Sequence, residues 1–123
     1  MKILVLGSKG MLGHILLKRL KTDYTNVTGF DKADYDITKD YEKLFKRIKK
    51  EMYDVVVNCI GILRPKPEDE QVTMFINGKF PHMLAEAANS YGGRIIHLST
   101  DCVFDGTEGN YKTNHPHTAK DVY

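Results

Sequence analysis

Three glycines near the start of the chain have a spacing that suits a phosphate-binding turn. The segment Gly7-Ser8-Lys9-Gly10-Met11-Leu12-Gly13 lies between an apolar run and a stretch with helical periodicity. Glycines at such a turn let the backbone approach a pyrophosphate, and the following helix N-terminus offers free N–H groups and a positive dipole end. The pattern therefore predicts a dinucleotide-binding turn made by Gly7, Gly10, Met11, Leu12 and Gly13. The Lys-Ser/Thr pair of a Walker loop does not follow the last glycine.

An acidic side chain, Asp31, follows the second apolar run of the chain. It lies near the offset of roughly 20 residues at which a carboxylate commonly hydrogen-bonds the adenosine ribose of NAD. Lys9 and Lys32 are placed to neutralise a 2′-phosphate, so NADP stays open as well. The expected cofactor is thus NADP(H) or NAD(H), and the sequence does not decide between them.

A hydroxyl side chain, Thr100, stands at the end of the fourth apolar run, in His97-Leu98-Ser99-Thr100. An open parallel sheet binds its ligands beyond the carboxyl ends of its strands, so Thr100 is placed for chemistry. A strand end rich in serine and threonine is also common in purely structural settings. Both interpretations stay open on local grounds.

The elements that must position these residues alternate between two kinds of pattern. Apolar runs predict strands over residues 2–6, 26–30, 54–61 and 94–100, and helical spacing of apolar residues predicts helices over 11–21, 41–52 and 74–88. Such alternation is typical of βαβ units. The prediction is an α/β fold with a Rossmann-type, doubly wound parallel sheet.

Prolines and glycines mark where the regular elements should be interrupted. Pro81 predicts a kink or a boundary inside the third helix, and Gly92 with Gly93 should stop that helix. The segment 64–70, with two prolines and three acids, predicts a loop that leads into the same helix. After Asp105 the periodicity fails, which predicts an irregular surface loop.

Composition excludes several classes of function. The formal net charge is only +2, which gives no field that would indicate a nucleic-acid partner. No apolar stretch approaches the roughly 20 residues that span a bilayer, and no export signal is recognisable, so we expect a cytoplasmic protein without a membrane partner. Cys59 and Cys102 are expected to be reduced thiols. His115-Pro116-His117 lacks further ligands at suitable spacing, so no metal site is predicted.

Two segments carry a resemblance to a known family. The glycine spacing GxxGxxG resembles that of short-chain dehydrogenases, including the extended branch that modifies nucleotide-sugars. The run Ser99-Thr100-Asp101-Cys102-Val103-Phe104-Asp105-Gly106 closely resembles the Ser-Thr-Asp-aromatic-Val-Phe-Asp-Gly run of dTDP-4-dehydrorhamnose reductases, with Cys102 in place of the usual tyrosine. The resemblance extends over the whole chain.

The resemblance implies further residues that contact the cofactor. Asp36 and Ile37 resemble the acid and aliphatic pair that lies beside the adenine, although a turn that caps at Thr38 explains the same residues equally well. The segment Asn58-Cys59-Ile60-Gly61 stands where the family has Asn followed by small residues. Cys59, Ile60 and Gly61 are therefore implied cofactor contacts, with Ile60 bulkier than the usual alanine.

The resemblance also implies a catalytic pair. Tyr123 is similar to the tyrosine of the family's Tyr-x-x-x-Lys motif, whose hydroxyl protonates the sugar oxygen while the Ser/Thr hydroxyl, here Thr100, hydrogen-bonds it. Asp101 and Cys102 then correspond to substrate-binding positions. The motif's lysine would fall four residues after Tyr123, beyond the last residue of the sequence.

Family members are longer than this chain. The resemblance therefore implies that residues 1–123 are a truncated NAD(P)-binding Rossmann domain, incomplete at the C-terminus and without the substrate domain. The implied parent activity is NAD(P)H-dependent reduction of a 4-keto-6-deoxy nucleotide-sugar, with little turnover by this fragment. Two alternatives stay open, a non-catalytic dinucleotide-binding regulatory subunit, such as that of methionine adenosyltransferase, and a nucleotide-sugar epimerase or dehydratase. The specific sugar and the oligomeric state are left undetermined.

Overall fold

The fold is built on one parallel sheet. The computed structural model describes residues 1–63, 69–121 and 123. Its strands are β1 (Ile3–Leu6), β2 (Val27–Phe30), β3 (Val55–Asn58) and β4 (Arg94–His97), and their order across the sheet is β2-β1-β3-β4. The chain thus builds outwards from β1 in both directions, which is the arrangement of a doubly wound sheet. The predicted α/β class and parallel sheet are confirmed.

Two helices follow the first two strands, close to their predicted bounds. Helix α1 spans Met11–Asp23 and α2 spans Tyr41–Glu51. In α2 the apolar side chains Leu44 and Ile48 are fully buried, while its lysines face outwards. The left-handed backbone of Met52, at φ 51°, ends α2 one residue before the predicted limit.

The third predicted helix is interrupted, as the proline in it led us to expect. It consists of α3 (Glu70–Thr73), a π-helical segment (Met74–Lys79) and α4 (Phe80–Asn89). Pro81 has no N–H to donate to the carbonyl four residues earlier, so the regular α-helical ladder cannot run through this point. The backbone instead widens, and the Phe80 N–H donates to the carbonyl of Phe75. Of the predicted loop 64–70, residues 64–68 lie outside the described residues.

The main core lies on one face of the sheet, under α2 and α4. Its residues come from the strands, the helices and the segments between them, and each is at most 8% exposed. They are Leu4, Leu6, Ile37, Leu44, Ile48, Tyr53, Val56, Ile76, Phe80 and Leu84. Helix α1 packs on β1 and β2 from the other face. There Met11, Leu12 and Ile15 remain exposed although they belong to the apolar stripe that predicted the helix.

Beyond β4 the chain becomes irregular. The strand ends at His97, three residues before its predicted limit, because the following residues lead into a 3₁₀ turn at Asp101–Val103. From Phe104 onwards the described residues form only turns and bends, as predicted for the region after Asp105. None of the described helices is both long and apolar enough to cross a membrane.

Candidate functional site

The glycine turn is packed so tightly that side chains are excluded at two of its positions. Gly7 has a φ of +75°, and a Cβ there would lie 3.0 Å from the Cys59 carbonyl oxygen. A Cβ on Gly13 would lie 2.1 Å from the carbonyl oxygen of Gly7, so α1 could not sit this close to β1 with any other residue. The glycines therefore bring the start of α1 directly against the end of β1.

The N-terminus of α1 is left without a side-chain cap. Gly10 is the N-cap residue, and among the described residues no side-chain cap of the first turn is present. The first N–H groups of a helix have no partner within the helix, so those after Gly10 can meet an anionic ligand. Such an uncapped helix start has the free donors and the positive dipole end that a pyrophosphate requires.

The end of β3 is held by a buried amide. The side chain of Asn58 is fully buried, its Oδ1 accepts from the Ile60 N–H at 3.2 Å, and its Nδ2 lies 3.1 Å from His97 Nδ1. Because Oδ1 faces an N–H group, the NH₂ group faces the imidazole and must donate to it. Asn58 thus joins the end of β4 to the segment after β3.

A second amide, Asn77, holds the residues that follow Gly61. Its Oδ1 accepts from the Ile62 N–H and its Nδ2 donates to the Ile62 carbonyl, both at 2.9 Å. Asn77 belongs to the π-helical segment, whose widened turn presents this side chain to the loop. Asn77 is not among the residues predicted from the sequence, although an Asn-Gly pair in the middle of a predicted helix, shortly before Pro81, is a usable signal.

Thr100 has a structural role, which the sequence left open as an alternative to chemistry. Its Oγ1 accepts from the Cys102 N–H at 3.1 Å and so caps the 3₁₀ turn. The hydroxyl also lies 3.5 Å from Asp101 Oδ1, at the outer limit of a hydrogen bond. The hydroxyl proton is therefore only weakly held and can turn towards a ligand.

The two cysteines are free thiols in the described part of the chain. Burial raises the pKa of the Cys59 thiol, so this group stays protonated at neutral pH. Cys102 is exposed, and its Sγ lies 3.8 Å from Asp101 Oδ1. Neither cysteine is presented as an activated nucleophile.

The loop after Thr100 is ordered by an aspartate and an aromatic stack. Asp105 Oδ1 accepts from the Thr107 N–H, from the Thr107 hydroxyl and from the Tyr111 hydroxyl, at 2.8 to 3.1 Å. These bonds hold the pKa of Asp105 below its usual value. The rings of Phe104 and Tyr111 stack with centroids 4.4 Å apart. The Phe-Asp-Gly part of the family-like run thus shapes the loop and contributes no reactive group.

The adenosine end of the predicted site holds two ion pairs. Lys9 Nζ lies 2.6 Å from Asp31 Oδ2, and Lys32 Nζ lies 3.8 Å from Asp36 Oδ2. Asp36 also accepts from the N–H and hydroxyl of Thr38, which is the capping turn that the sequence left as an alternative. Ile37 is buried in the core. Contacts of Asp36 and Ile37 with an adenine therefore stay predictions.

A cleft of about 440 Å³ opens at the carboxyl ends of β1, β3 and β4. Its volume is within the usual range for small-ligand sites. It brings together eight of the predicted site residues: Gly10, Met11, Leu12, Cys59, Ile60, Gly61, Thr100 and Tyr123. The remaining predicted site residues lie outside its lining: Gly7, Gly13, Asp31, Lys32, Asp36, Ile37, Asp101 and Cys102.

Comparisons with known proteins identify relatives over the whole chain. Residues 1–123 match the family described as "RmlD substrate binding domain". A dTDP-4-dehydrorhamnose reductase of Streptomyces griseus is 33% identical over 123 residues, which cover 98% of this chain and 40% of that protein. The chain therefore spans about two fifths of the length of this relative.

Solved structures show the same fold. A crystal structure of a dTDP-4-dehydrorhamnose reductase from Clostridium acetobutylicum aligns with a TM-score of 0.89 and 32% identity, over 100% of this chain and 45% of that one. The enzyme of the same name from Bacillus anthracis, in complex with NADP, aligns with a TM-score of 0.88 over 100% of this chain and 45% of that one. At 23% identity, the second comparison shows only that the two proteins share a fold.

Proposed function

Since the chain belongs to the RmlD substrate binding domain family, we propose that it is the dinucleotide-binding part of an NAD(P)H-dependent nucleotide-sugar reductase. The substrate of the whole protein would be a 4-keto-6-deoxy sugar on a nucleoside diphosphate, as in dTDP-rhamnose and cell-surface polysaccharide biosynthesis in the cytoplasm. One observation carries the proposal. A single cleft is lined by the uncapped N-terminus of α1 together with Thr100 and Tyr123.

The proposed cofactor-binding residues follow the course of the cleft. The backbone at Gly7, Gly10 and Gly13 would receive the pyrophosphate, and Asp31 would accept the ribose hydroxyls. Cys59, Ile60 and Gly61 would line the path from the pyrophosphate towards Thr100. A bound nicotinamide dinucleotide would supply the hydride for reduction of a keto carbon.

The chain's own hydroxyl groups would handle the oxygen of that carbon. The Thr100 hydroxyl, weakly held by Asp101, would turn to hydrogen-bond the oxygen as negative charge develops on it. The Tyr123 hydroxyl would give its proton to the same oxygen and complete the alcohol. A phenol has an ordinary pKa near 10, so this transfer needs a nearby positive charge, which the family's lysine would provide. That lysine is not among these 123 residues, so we propose that this chain binds the dinucleotide with little turnover.

The reductase is favoured over the alternative functions by the named relatives. The matches that are at least 30% identical include several called dTDP-4-dehydrorhamnose reductase and one called dTDP-4-keto-6-deoxy-D-glucose reductase. An epimerase of Helicobacter pylori shares the fold with 17% identity, which speaks for the fold alone.

The proposal is tested by titrating the purified chain with NADH and NADPH in a calorimeter. Gly10→Val places a branched side chain where the pyrophosphate must approach, and we expect the affinity to fall by at least roughly tenfold. The control is Gly78→Ala, because a Cβ at Gly78 meets no atom within 4 Å. Circular dichroism and thermal melts confirm that both variants fold.

Two results would contradict the proposal. One is that the unchanged chain binds neither nucleotide at millimolar concentration. The other is that folded Gly10→Val binds them as well as the unchanged chain does. Weaker binding in Gly10→Val with unchanged binding in Gly78→Ala supports binding at the N-terminus of α1.

A further inference from the structure

The imidazole of His97 lines the cleft and also contacts a buried amide. His97 stands at the end of β4, and its Nδ1 lies 3.1 Å from Asn58 Nδ2. Because the Asn58 NH₂ group donates this hydrogen bond, Nδ1 carries no proton, and the neutral ring has its proton on Nε2. The contact therefore requires His97 to be uncharged.

Asn58 links this imidazole to segment 59–61, which follows β3. Its Oδ1 accepts from the Ile60 N–H at 3.2 Å. The segment lies directly against the glycine turn, because a Cβ on Gly7 would be 3.0 Å from the Cys59 carbonyl oxygen and 3.2 Å from Ile60 Cγ1. The position of segment 59–61 therefore sets the wall of the cleft beside the uncapped N-terminus of α1.

A proton on His97 Nδ1 conflicts with both orientations of the Asn58 amide. In the orientation observed, the Asn58 NH₂ group would face a second N–H donor. If the amide turned over, its oxygen would accept from Nδ1, but its NH₂ group would then face the Ile60 N–H. Asn58 is fully buried, so water cannot replace the lost partner, and an unsatisfied buried donor is costly. Protonation therefore separates Asn58 from either His97 or Ile60.

The groups around His97 keep it neutral in the pH range where the contact is needed. Loss of hydration lowers the pKa of His97, and the charge of His82, on α4, lowers it further. Cys59 and Tyr123 are the other titratable groups in the lining of the cleft. No carboxylate is among the described residues that line it, so none is there to hold a charged imidazole. His97 gains its proton only as the pH falls below about 6.5.

We infer that His97 is a positioning residue, which acts through Asn58 to hold segment 59–61 in its ligand-binding position, and that a proton on the imidazole weakens dinucleotide binding. The inference rests on the proposed function, because segment 59–61 belongs to the proposed cofactor site. The apparent affinity then follows the fraction of the chain in which His97 is neutral.

The test is a set of calorimetric titrations of the full chain with NAD⁺ and NADP⁺, at pH 8 and at pH 5. The oxidised dinucleotides are used because the reduced ones decompose in acid. We expect the affinity to fall from pH 8 to pH 5 by roughly fivefold more in the unchanged chain than in His97→Gln. The glutamine can accept from Asn58 and gains no proton, and titration of the NADP⁺ 2′-phosphate cancels in this comparison.

The matched control is His82→Gln, which makes the same substitution at the neighbouring imidazole and should keep the fall seen in the unchanged chain. His14 contributes with the opposite sign. Its Nδ1 lies 3.0 Å from the Gly10 carbonyl oxygen, a contact that a protonated imidazole retains, and its charge would favour an anion at the start of α1.

Two further measurements separate the hydrogen bond from the bulk of the side chain. At pH 8, His97→Leu cannot accept from Asn58 and should bind at least roughly fivefold more weakly than His97→Gln. In ¹H–¹⁵N spectra without nucleotide, the Ile60 amide and the Asn58 side-chain signals should move between pH 8 and pH 5 in the unchanged chain and stay in place in His97→Gln. Circular dichroism and thermal melts at both pH values confirm that folded chains are compared.

The outcomes distinguish the inference from the proposed function. If the unchanged chain binds neither nucleotide at pH 8, both are wrong. If it binds a nucleotide but His97→Gln shows the same fall in affinity at pH 5, or if His82→Gln abolishes that fall, the inference alone is wrong. Signals of Asn58 and Ile60 that do not respond to pH also overturn it, because the proton would then not act through the amide.

Discussion

Two buried or partly buried amides, on Asn58 and Asn77, hold the loops that surround the cleft. Each uses both its carbonyl oxygen and its NH₂ group, so each fixes two partners at once. Removing either partner would leave a desolvated polar group, which costs about 1–3 kcal/mol. The floor of the cleft is therefore stabilised by neutral hydrogen bonds, and the ion pairs of Lys9 with Asp31 and of Lys32 with Asp36 lie outside its lining.

The imidazole of His97, at the end of β4, makes the stability of the chain depend on pH. Loss of hydration around the imidazole lowers the pKa of His97 below its ordinary value of 6.5, and the charge of nearby His82 lowers it further. The unfolded chain then binds this proton more readily than the folded chain does. The stabilisation is present above about pH 6.5 and is lost as the pH falls below it.

We expect urea unfolding to show a larger loss of stability between pH 8 and pH 5.5 in the unchanged chain than in His97→Gln. The glutamine can still accept from Asn58 but has no proton to gain in this range. Equal pH dependence in the two proteins would show that His97 is not the group responsible. His82→Gln, measured alongside, reports the smaller electrostatic contribution.

The residues predicted to bind or react are easier to identify from the sequence than the residues that fix the loops around them. Thr100 follows a strand and Gly10 precedes a helix, so the rule about strand ends places them together, and Tyr123 was added by its similarity to the family's motif. The cleft is lined by all three. The Asn-Gly pair draws attention to Asn77, but its pairing with Ile62 could not be predicted, because Ile62 lies outside that helix and the two residues meet only after folding. Lys9 was recognised as a cation, but its pairing with Asp31 required the geometry of the turn.

At the scale of elements, the glycine turn allows α1 to pack closely against β1, in addition to its proposed role in binding. The start of α1 lies against the end of β1 because Gly13 has no side chain, with the Gly7 carbonyl occupying the space of a Cβ. Gly13 stands at the position where glycine permits close helix-to-strand packing in dinucleotide-binding turns. The contact distances show that Gly13 serves the packing, whereas Gly10 is exposed at the cleft, with an added Cβ 3.1 Å from the Gly7 carbonyl oxygen.

The same substitution at two glycines should therefore have opposite effects on stability. Gly13→Ala places a Cβ 2.1 Å from the Gly7 carbonyl oxygen, so α1 must shift, and we expect a loss of about 3 kcal/mol of unfolding free energy. Gly78→Ala meets no atom within 4 Å in a helical segment and should gain about 0.5–1 kcal/mol. Urea denaturation measures both. A loss at Gly78 as large as that at Gly13 would contradict the packing account.

The interrupted helix shows how much of a helix's backbone geometry can be inferred from a proline in its sequence. Pro81 predicts that the regular ladder fails, and it does. The sequence does not say how the backbone adjusts, since a kink, a break or a π-helical turn would each remove the conflict. The adjustment that occurs turns Asn77 towards the Ile62 backbone, so the irregularity contributes directly to the walls of the cleft.

At the scale of the whole molecule, the two faces of the sheet are covered unequally. Helices α2 and α4 cover the face that carries Leu4, Leu6 and Val56. On the other face α1 packs against β1 and β2, and Ile96 and Leu98, in and after β4, are 47% and 43% exposed. The alternation of strand-like and helix-like apolar patterns predicted a parallel sheet with helices, because each apolar strand must be covered by another layer. It could not predict which apolar residues stay exposed, because that depends on how much of each face the helices reach.

The central claim is that a nicotinamide dinucleotide binds at the carboxyl ends of β1, β3 and β4. The most direct measurement is a set of ¹H–¹⁵N NMR spectra of the chain during titration with NADPH and with NADH. We predict shifts of the amide signals of Gly10, Met11, Leu12 and Gly61, next to the cleft. The signals of Lys2, Glu51 and Asp54, which lie together at the opposite ends of the strands, should not move. Shifts confined to that opposite end, or no shifts at millimolar nucleotide, would contradict the claim.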